Sequence, residues 1–229
     1  MRITWYGHSC FRIETGRSVI LIDPFLKGNP TFEAAGIAWD EATRGVTHVA
    51  LTHGHDDHLG DAAEICTKRG AVLFANYELA MHVAGQGAER LEPMNTGGTV
   101  RVDGFALTLV PALHSSSSGN VYLGNPNGIV IQPDGDKTLL HMGDTDVSPG
   151  MALVAELYEP KIGIVPIGDR FTMGARTAAY ACKTFFSFDA VIPCHYGTFP
   201  IIDQTADKFV AAMEGRNVVV PKVGQAVEL

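Results

Sequence analysis

The 229 residues are 46% hydrophobic, enough for a sizeable core, and 17 Lys and Arg face 25 Asp and Glu, for a net charge of -8. Such an acidic surface repels phosphodiester backbones and argues against long nucleic acids as partners. No apolar run approaches the roughly 18 residues a membrane span needs, and "MRITWYGHSC" lacks the regions of a secretory signal, so a cytoplasmic chain with no membrane partner is expected.

In chain order, "RITWY", "CFRIE" and "SVILID" read as short strands, followed by a Pro- and Gly-bearing loop from Pro24 to about Ala38. "THVALTH" reads as a buried strand. "GDAAEICTKRG" then reads as a helix ending at Gly70, "AVLFA" as a strand and "YELAMHVAG" as a helix. From Gly97 to about His141 the pattern changes to strands and tight turns: "TVRV", "FALTLVPAL", "GIVIQ" and "KTLLHM", with turns at "VDGF", "NPNG" and "PDGD". In "DVSPGMALVAEL", Ser148 is the expected N-cap and Pro149 the first helical residue. Strand "IGIVPI", helix "ARTAAYACKTFF", strand "DAVIPC", helix "QTADKFVAAM" and short strands "NVVVP" and "QAVEL" complete the order. Alternating strands and helices at both ends, with a strand meander between, do not suit a purely parallel sheet. Two mixed sheets packed face to face with helices outside each fit better, in one domain over residues 1–229. Cys10, Cys66, Cys182 and Cys194 form no C-x-x-C pair and are expected as reduced thiols, with Cys194 a small buried hydrophobe.

The polar residues of interest follow strands. "LTHGHDDHLGD" places His53 and His55 two apart in extended chain, so both imidazoles can face one metal, and Gly54 between them permits close backbone approach. Asp57 and His58 come one turn later and can face a second point. Imidazole and carboxylate together suit Zn, with Mn, Fe and Ni as alternatives. A solvated turn with capping aspartates is the bland alternative, and it suits a lone histidine better than this cluster. Four ligands do not complete two sites. His114, Asp144 in "HMGDTD" and His195 in "VIPCHYGTFP" each follow a strand and supply the remainder.

"THGHDDHLGD", "HS", "GDT" and "HYGTFP" together resemble the metallo-β-lactamase-fold hydrolases. "WYGHSCFRIE", "LIDPF" and "PIGDRFTMG" are similar to the small metal-dependent hydrolases related to L-ascorbate-6-phosphate lactonase. The resemblance implies an α+β, four-layer αββα sandwich and a homo-oligomer. It implies a first ion on His53, His55 and His114, a second on Asp57, His58 and His195, and Asp144 bridging both. A hydroxide shared by two divalent ions would attack a small ester, lactone or phosphate-bearing substrate, with Asp57 and Asp144 as catalytic carboxylates. The family often has a small residue at Asp56, which is expected to be solvated, and an apolar one at His141, which is expected to be structural. Histidine at position 55, where redox members of the fold carry glutamate, favours hydrolysis.

His8 and Asp23 are weaker candidates; Asp23 would accept the other N–H of a metal-bound imidazole. The run "HSSSSGN" and the loop "GDRFTMG" are candidate walls, Arg170 and Arg176 candidate anchors for an anionic substrate, and Tyr196, Thr198 or Phe199 candidates to lie against the metals. Two rival readings remain: a phosphodiesterase or nuclease of the same fold acting on cyclic or short nucleotides, and a non-catalytic ligand-binding protein stabilised by metal.

Overall fold

A computed structural model describes residues 1–229. The chain opens with β1 (Arg2–Trp5), β2 (Phe11–Thr15) and β3 (Ser18–Ile22), then α1 (Pro30–Ala34), α2 (Trp39–Ala42) and β4 (His48–Ala50). There follow α3 (Asp56–Leu59), α4 (Ala62–Arg69), β5 (Val72–Asn76), α5 (Tyr77–Ala84) and β6 (Leu91–Met94). The meander comprises β7 (Thr99–Val102), β8 (Phe105–Pro111), the two-residue strands β9 (Ser117–Ser118) and β10 (Val121–Tyr122), β11 (Asn127–Pro133) and β12 (Leu139–His141). The last part holds α6 (Gly150–Tyr158), β13 (Ile162–Pro166), α7 (Ala175–Phe185), β14 (Ala190–Cys194), α8 (Asp207–Ala212) and β15 (Ala226–Glu228).

One sheet runs β15-β1-β2-β3-β4-β5-β6 and the other β14-β13-β12-β11-β8-β7. Each is mixed for the same reason. Where short turns join strands the pairing is antiparallel, as in β1–β2–β3, β7–β8 and β11–β12, and β8 pairs antiparallel with β11 across the segment that carries β9 and β10. Where helices intervene it is parallel, as in β3–β4–β5–β6 and β12–β13–β14. The period-two alternation of β3 shows how the layers form. Ile20 and Ile22 pack between the sheets with Leu109, Ile131 and Ile164, while Leu21 packs outward with Leu73, Ile65 of α4 and Leu79 of α5. Ala178, Ala181 and Cys182 bring α7 onto the second sheet. The result is the expected four-layer αββα sandwich. No helix is long and apolar enough to cross a membrane.

Several local expectations differ from the structure. The strand foreseen in "THVALTH" stops at Ala50. Past that point the backbone leaves the ladder: Thr52 N–H donates to Asp23 Oδ1 (2.8 Å) and Thr52 C=O accepts from Asn127 N (2.9 Å). The loop before residue 38 contains α1, where Asn29 accepts from Thr31 and Phe32 N–H and Pro30 takes the first turn. Helix α6 begins one residue later than expected: Pro149, not Ser148, is its N-cap, no side chain caps it, and Ser148 C=O accepts from Met151 N. "NVVVP" makes only an isolated bridge, Val218 to Val191. Strands β6, β9 and β10 had no clear periodic signal. All four cysteines are buried and unpaired.

Candidate metal centre

Topology brings the polar residues to one edge. Strands β3 and β4 are parallel, and β1 runs with them because both it and β3 are antiparallel to β2. Likewise β8 runs with β12 and β14, because β8 and β12 are both antiparallel to β11. The segments leaving β1, β3, β4, β8, β12 and β14 therefore carry His8, Asp23, His53–His58, His114, Asp144 and His195 to the same side of the sandwich. Three of these turn the chain through the left-handed region, His8 (φ 52°), Asp23 (φ 45°) and His195 (φ 58°). Such backbone costs about 1–3 kcal/mol per residue and gathers at functional sites.

The side chains assemble in two groups. Donor atoms of His53, His55 and His114 lie within 4.8 Å of one another, and so do those of His8, Asp57, His58 and His195. A third set, His53, His58 and Asp144, links the two. Asp144 Oδ2 stands 3.0 Å from His195 Nε2, 3.3 Å from His58 Nε2 and 3.5 Å from His114 Nε2.

Hydrogen bonds behind the groups settle which ring nitrogens carry protons. Asp23 is wholly buried and accepts from His58 Nδ1 (2.7 Å), Thr52 Oγ1 (2.7 Å) and Thr52 N (2.8 Å). His58 thus keeps its proton on Nδ1 and its lone pair on Nε2. With its own proton on Asp23, Thr52 Oγ1 accepts from His53 Nδ1 (2.9 Å), which leaves the Nε2 lone pair of His53 facing His55 Nδ1 at 2.9 Å. This is the arrangement metal-binding imidazoles use, one nitrogen held by an oxygen and the other offered forward. Two of the atoms that face the cluster lack partners: His58 Nε2 and Asp144 Oδ1 are buried without an aligned hydrogen bond. Buried polar atoms left unpaired are costly, and a cation among them would satisfy the donor set. The residues fit a metal.

Electrostatics agree with the geometry. Burial pushes His53 well below the ordinary imidazole range, and burial lowers His55 and His114 as well. Neutral imidazoles are the ligating form. Burial alone would raise Asp144, but His195 and His58 pull its carboxyl well below the usual range. Burial likewise opposes ionisation of Asp57, and His58 and His8 overcome it. Against its own burial, Asp144, Asp23 and Asp57 favour a proton on His58; the same three carboxylates favour a divalent cation in its place. Burial, then the neighbouring His195, pushes His8 down to about 4.

Close backbone approach holds the cluster in place. A Cβ at Gly54 would lie 2.6 Å from Cβ of Leu123, as the small residue between two histidines suggested. Gly54 N donates to Ser116 Oγ (3.0 Å), Ser115 Oγ is 3.3 Å from His55 Nε2, and Ser118 Oγ donates to Asp56 (2.6 Å). The serine run thus forms a wall beside the first group, and Asp56 is exposed. At Gly168, a Cβ would collide with the carbonyl oxygen of His195 and lie 2.8 Å from its Nδ1.

The remaining candidates divide. Arg170 and Arg176 are exposed and take part in no ion pair, with the Arg170 guanidinium 5.8 Å from the Phe171 ring centroid. The loop carrying Arg170 is anchored at the site, since Met173 N donates to Thr145 C=O and Gly168 packs on His195. Tyr196, expected against the metals, instead turns into the inter-sheet core and stacks on Trp5 at 5.1 Å. Thr198 reaches His8 Nδ1 (3.0 Å), and the Phe199 ring lies 5.4 Å from that of His8. His141 is buried, accepting from Gly143 N and lying 3.2 Å from Ser9 C=O, as a structural residue would. Thr52 and Gly168 escaped the sequence reading as supports for His53 and His195. The polar Thr52 in an otherwise apolar run was the available signal.

Comparison with known proteins places this architecture. The β-lactamase superfamily domain matches residues 2–195. The chain is 58% identical to a UPF0173 metal-dependent hydrolase of Chelativorans sp., over the whole of both chains. It is 56% identical to another from Mesorhizobium japonicum, again over the whole of both. Among solved structures it is similar to Igni18, a metallo hydrolase from the archaeon Ignicoccus hospitalis, with TM-score 0.88 and 33% identity, covering 99% of this chain and 97% of that one.

Proposed function

The chain belongs to the metal-dependent hydrolases of the β-lactamase superfamily, and from that premise we propose that it works with two divalent ions, zinc being the first choice. His53, His55 and His114 would hold one ion, Asp57, His58 and His195 the other, and Asp144 would lie between. The observation that supports this reading is the convergence of His58, His114 and His195 on one oxygen of Asp144, at 3.0–3.5 Å. A structural zinc needs four ligands and no open position, whereas here seven donors stand in two linked groups.

When bound, such ions lower the pKa of a water and polarise a scissile carbonyl or phosphoryl group. The protein's own residues do the rest. Asp23 and Thr52 hold the imidazoles of His58 and His53 in their ligating tautomers. Asp57 is 30% exposed where Asp144 and Asp23 are nearly or wholly enclosed, which suits it to pass a proton outward. The serine run beside His55 offers neutral hydroxyls to a small polar substrate, and Arg170 and Arg176 offer unpaired guanidinium groups to an anionic one. We therefore favour a small ester, lactone or phosphate-bearing compound as substrate.

The test is metal analysis of protein prepared with zinc in excess, joined to a screen of esters, lactones, thioesters and phosphodiesters. Two ions per chain and turnover of one class are expected. A firm ceiling of one ion per chain would overturn the two-metal reading.

A further inference from the structure

We propose that His8 is the positioning residue of the second metal group, its ring setting Asp57 and its backbone carbonyl setting His195. The proposal rests on the two-metal reading above. It adds a role for a residue outside the ligand set and a reason for the hydroxyl at Thr198.

Both nitrogens of the buried His8 ring are engaged. Nε2 lies 3.1 Å from Asp57 Oδ2, and Nδ1 lies 3.0 Å from Thr198 Oγ1. An ionised carboxylate can only accept, so in a neutral ring the proton sits on Nε2 and Nδ1 presents its lone pair. The Thr198 hydroxyl must then donate to Nδ1. Its other acceptor within reach, Tyr196 C=O, is more distant at 3.3 Å. Thr198, His8 and Asp57 therefore form a directed chain of hydrogen bonds that fixes one oxygen of Asp57.

The backbone of the same residue reaches the other side of the group. His8 C=O accepts from His195 N (3.0 Å) and from Trp5 Nε1 (2.9 Å). His8 and His195 both adopt left-handed backbone, and their rings lie 4.0 Å apart. Each strained turn is thus tied to its neighbour. Phe25 and Phe199 meet the His8 ring edge-on at 6.0 and 5.4 Å and restrict its rotation.

Direct ligation by His8 is the competing role, because a ring nitrogen of it lies within 4.8 Å of donor atoms of Asp57, His58 and His195. The hydrogen bonds decide between the two. Both His8 nitrogens are held by oxygens, Asp57 Oδ2 and Thr198 Oγ1, whereas His53 Nε2 faces only another imidazole and His58 Nε2 is buried without a partner. Partners of this kind typically change metal affinity about 10–100-fold when removed.

The experiment is a Co²⁺ titration of the metal-stripped full chain, followed by calorimetry and by visible absorption, for the wild type, Thr198→Val, Thr198→Ser and His8→Gln. Thr198→Val keeps the volume and loses the hydroxyl, and it decides the matter even where His8→Gln fails to fold. The first equivalent should bind as in the wild type. The second should bind about 10–100-fold more weakly in Thr198→Val and His8→Gln, with an altered absorption band. Thr198→Ser should restore both affinity and band. Wild-type binding of the second equivalent in Thr198→Val would overturn the proposal, as would loss of that equivalent in His8→Gln alone, which would make His8 a ligand. A wild type that takes only one equivalent would instead refute the two-metal reading, a separately recognisable result.

Discussion

Asp23 and His58 meet in a hydrogen bond of 2.7 Å, and neither side chain touches solvent. Asp23 also receives both the N–H and the O–H of Thr52. Asp23→Asn keeps the volume but puts an NH2 group either at Oδ1, which accepts from Thr52 N, or at Oδ2, which accepts from both Thr52 Oγ1 and His58 Nδ1. If that group faces His58, the imidazole is driven to carry its proton on Nε2 and loses its forward lone pair. Affinity at the second metal group should fall about 10–100-fold. Metal titration would show this, and imidazole nitrogen NMR would report the tautomer; an unchanged tautomer with unchanged affinity would refute the role of Asp23.

Asp144→Asn tests the link between the groups. The amide nitrogen cannot ligate, so one oxygen remains where two ions would need it. Metal content should fall from two ions toward one, since His53, His55 and His114 are untouched, and turnover should drop by orders of magnitude. Thermal stability should fall only modestly. Intact metal content and turnover would mean that Asp144 does not bridge.

Gly168→Ala should disturb His195 without replacing any of the proposed ligands. The added methyl would press on the carbonyl oxygen and Nδ1 of His195. Overpacking of this kind costs about 1–3 kcal/mol, and displacement of His195 should weaken the second ion. Thermal denaturation with and without zinc separates the two effects: the stabilisation added by zinc should be smaller than in the wild type. An equal zinc-induced shift would show that His195 tolerates the methyl.

Arg170 and Arg176 lie on the surface with no carboxylate partner, so replacing either with Ala should leave folding unchanged. If one anchors an anionic substrate, its loss should raise KM about ten- to hundredfold, the range of a charged hydrogen bond. An uncharged analogue should show no change. Unaltered kinetics in both variants would make them plain surface residues.

The histidine cluster was legible because its spacing is local. His53, His55, Asp57 and His58 fall within six positions, and the distant His114, Asp144 and His195 each follow a strand. What holds them was less visible. Asp23 reaches Thr52 and His58 across 29 and 35 residues, and Thr198 reaches His8 across 190, through hydrogen bonds that leave no periodic trace. The misplacement of Tyr196 has a related cause. Adjacency to His195 suggested the cleft, but an aromatic ring gained more by stacking on Trp5 between the sheets. The end of β4 was misplaced because apolar content marks burial, while the end of a strand depends on where its backbone groups find partners.

The cross-sheet tie at Thr52 carries a kinetic consequence. Thr52 is bonded to Asp23 beside one sheet and to Asn127 on the other, and neither sheet alone supplies a full set of donors: His53 and His55 need His114, while Asp57 and His58 need His195. An ion can therefore find its complete site only after the sheets have docked, too late to template the collapse of the chain. A cation that engages after the rate-limiting barrier slows escape from the native state without hastening arrival. Stopped-flow measurements should show zinc lengthening the unfolding lifetime while the refolding rate stays fixed; acceleration of refolding by zinc would mean that part of the centre forms before docking.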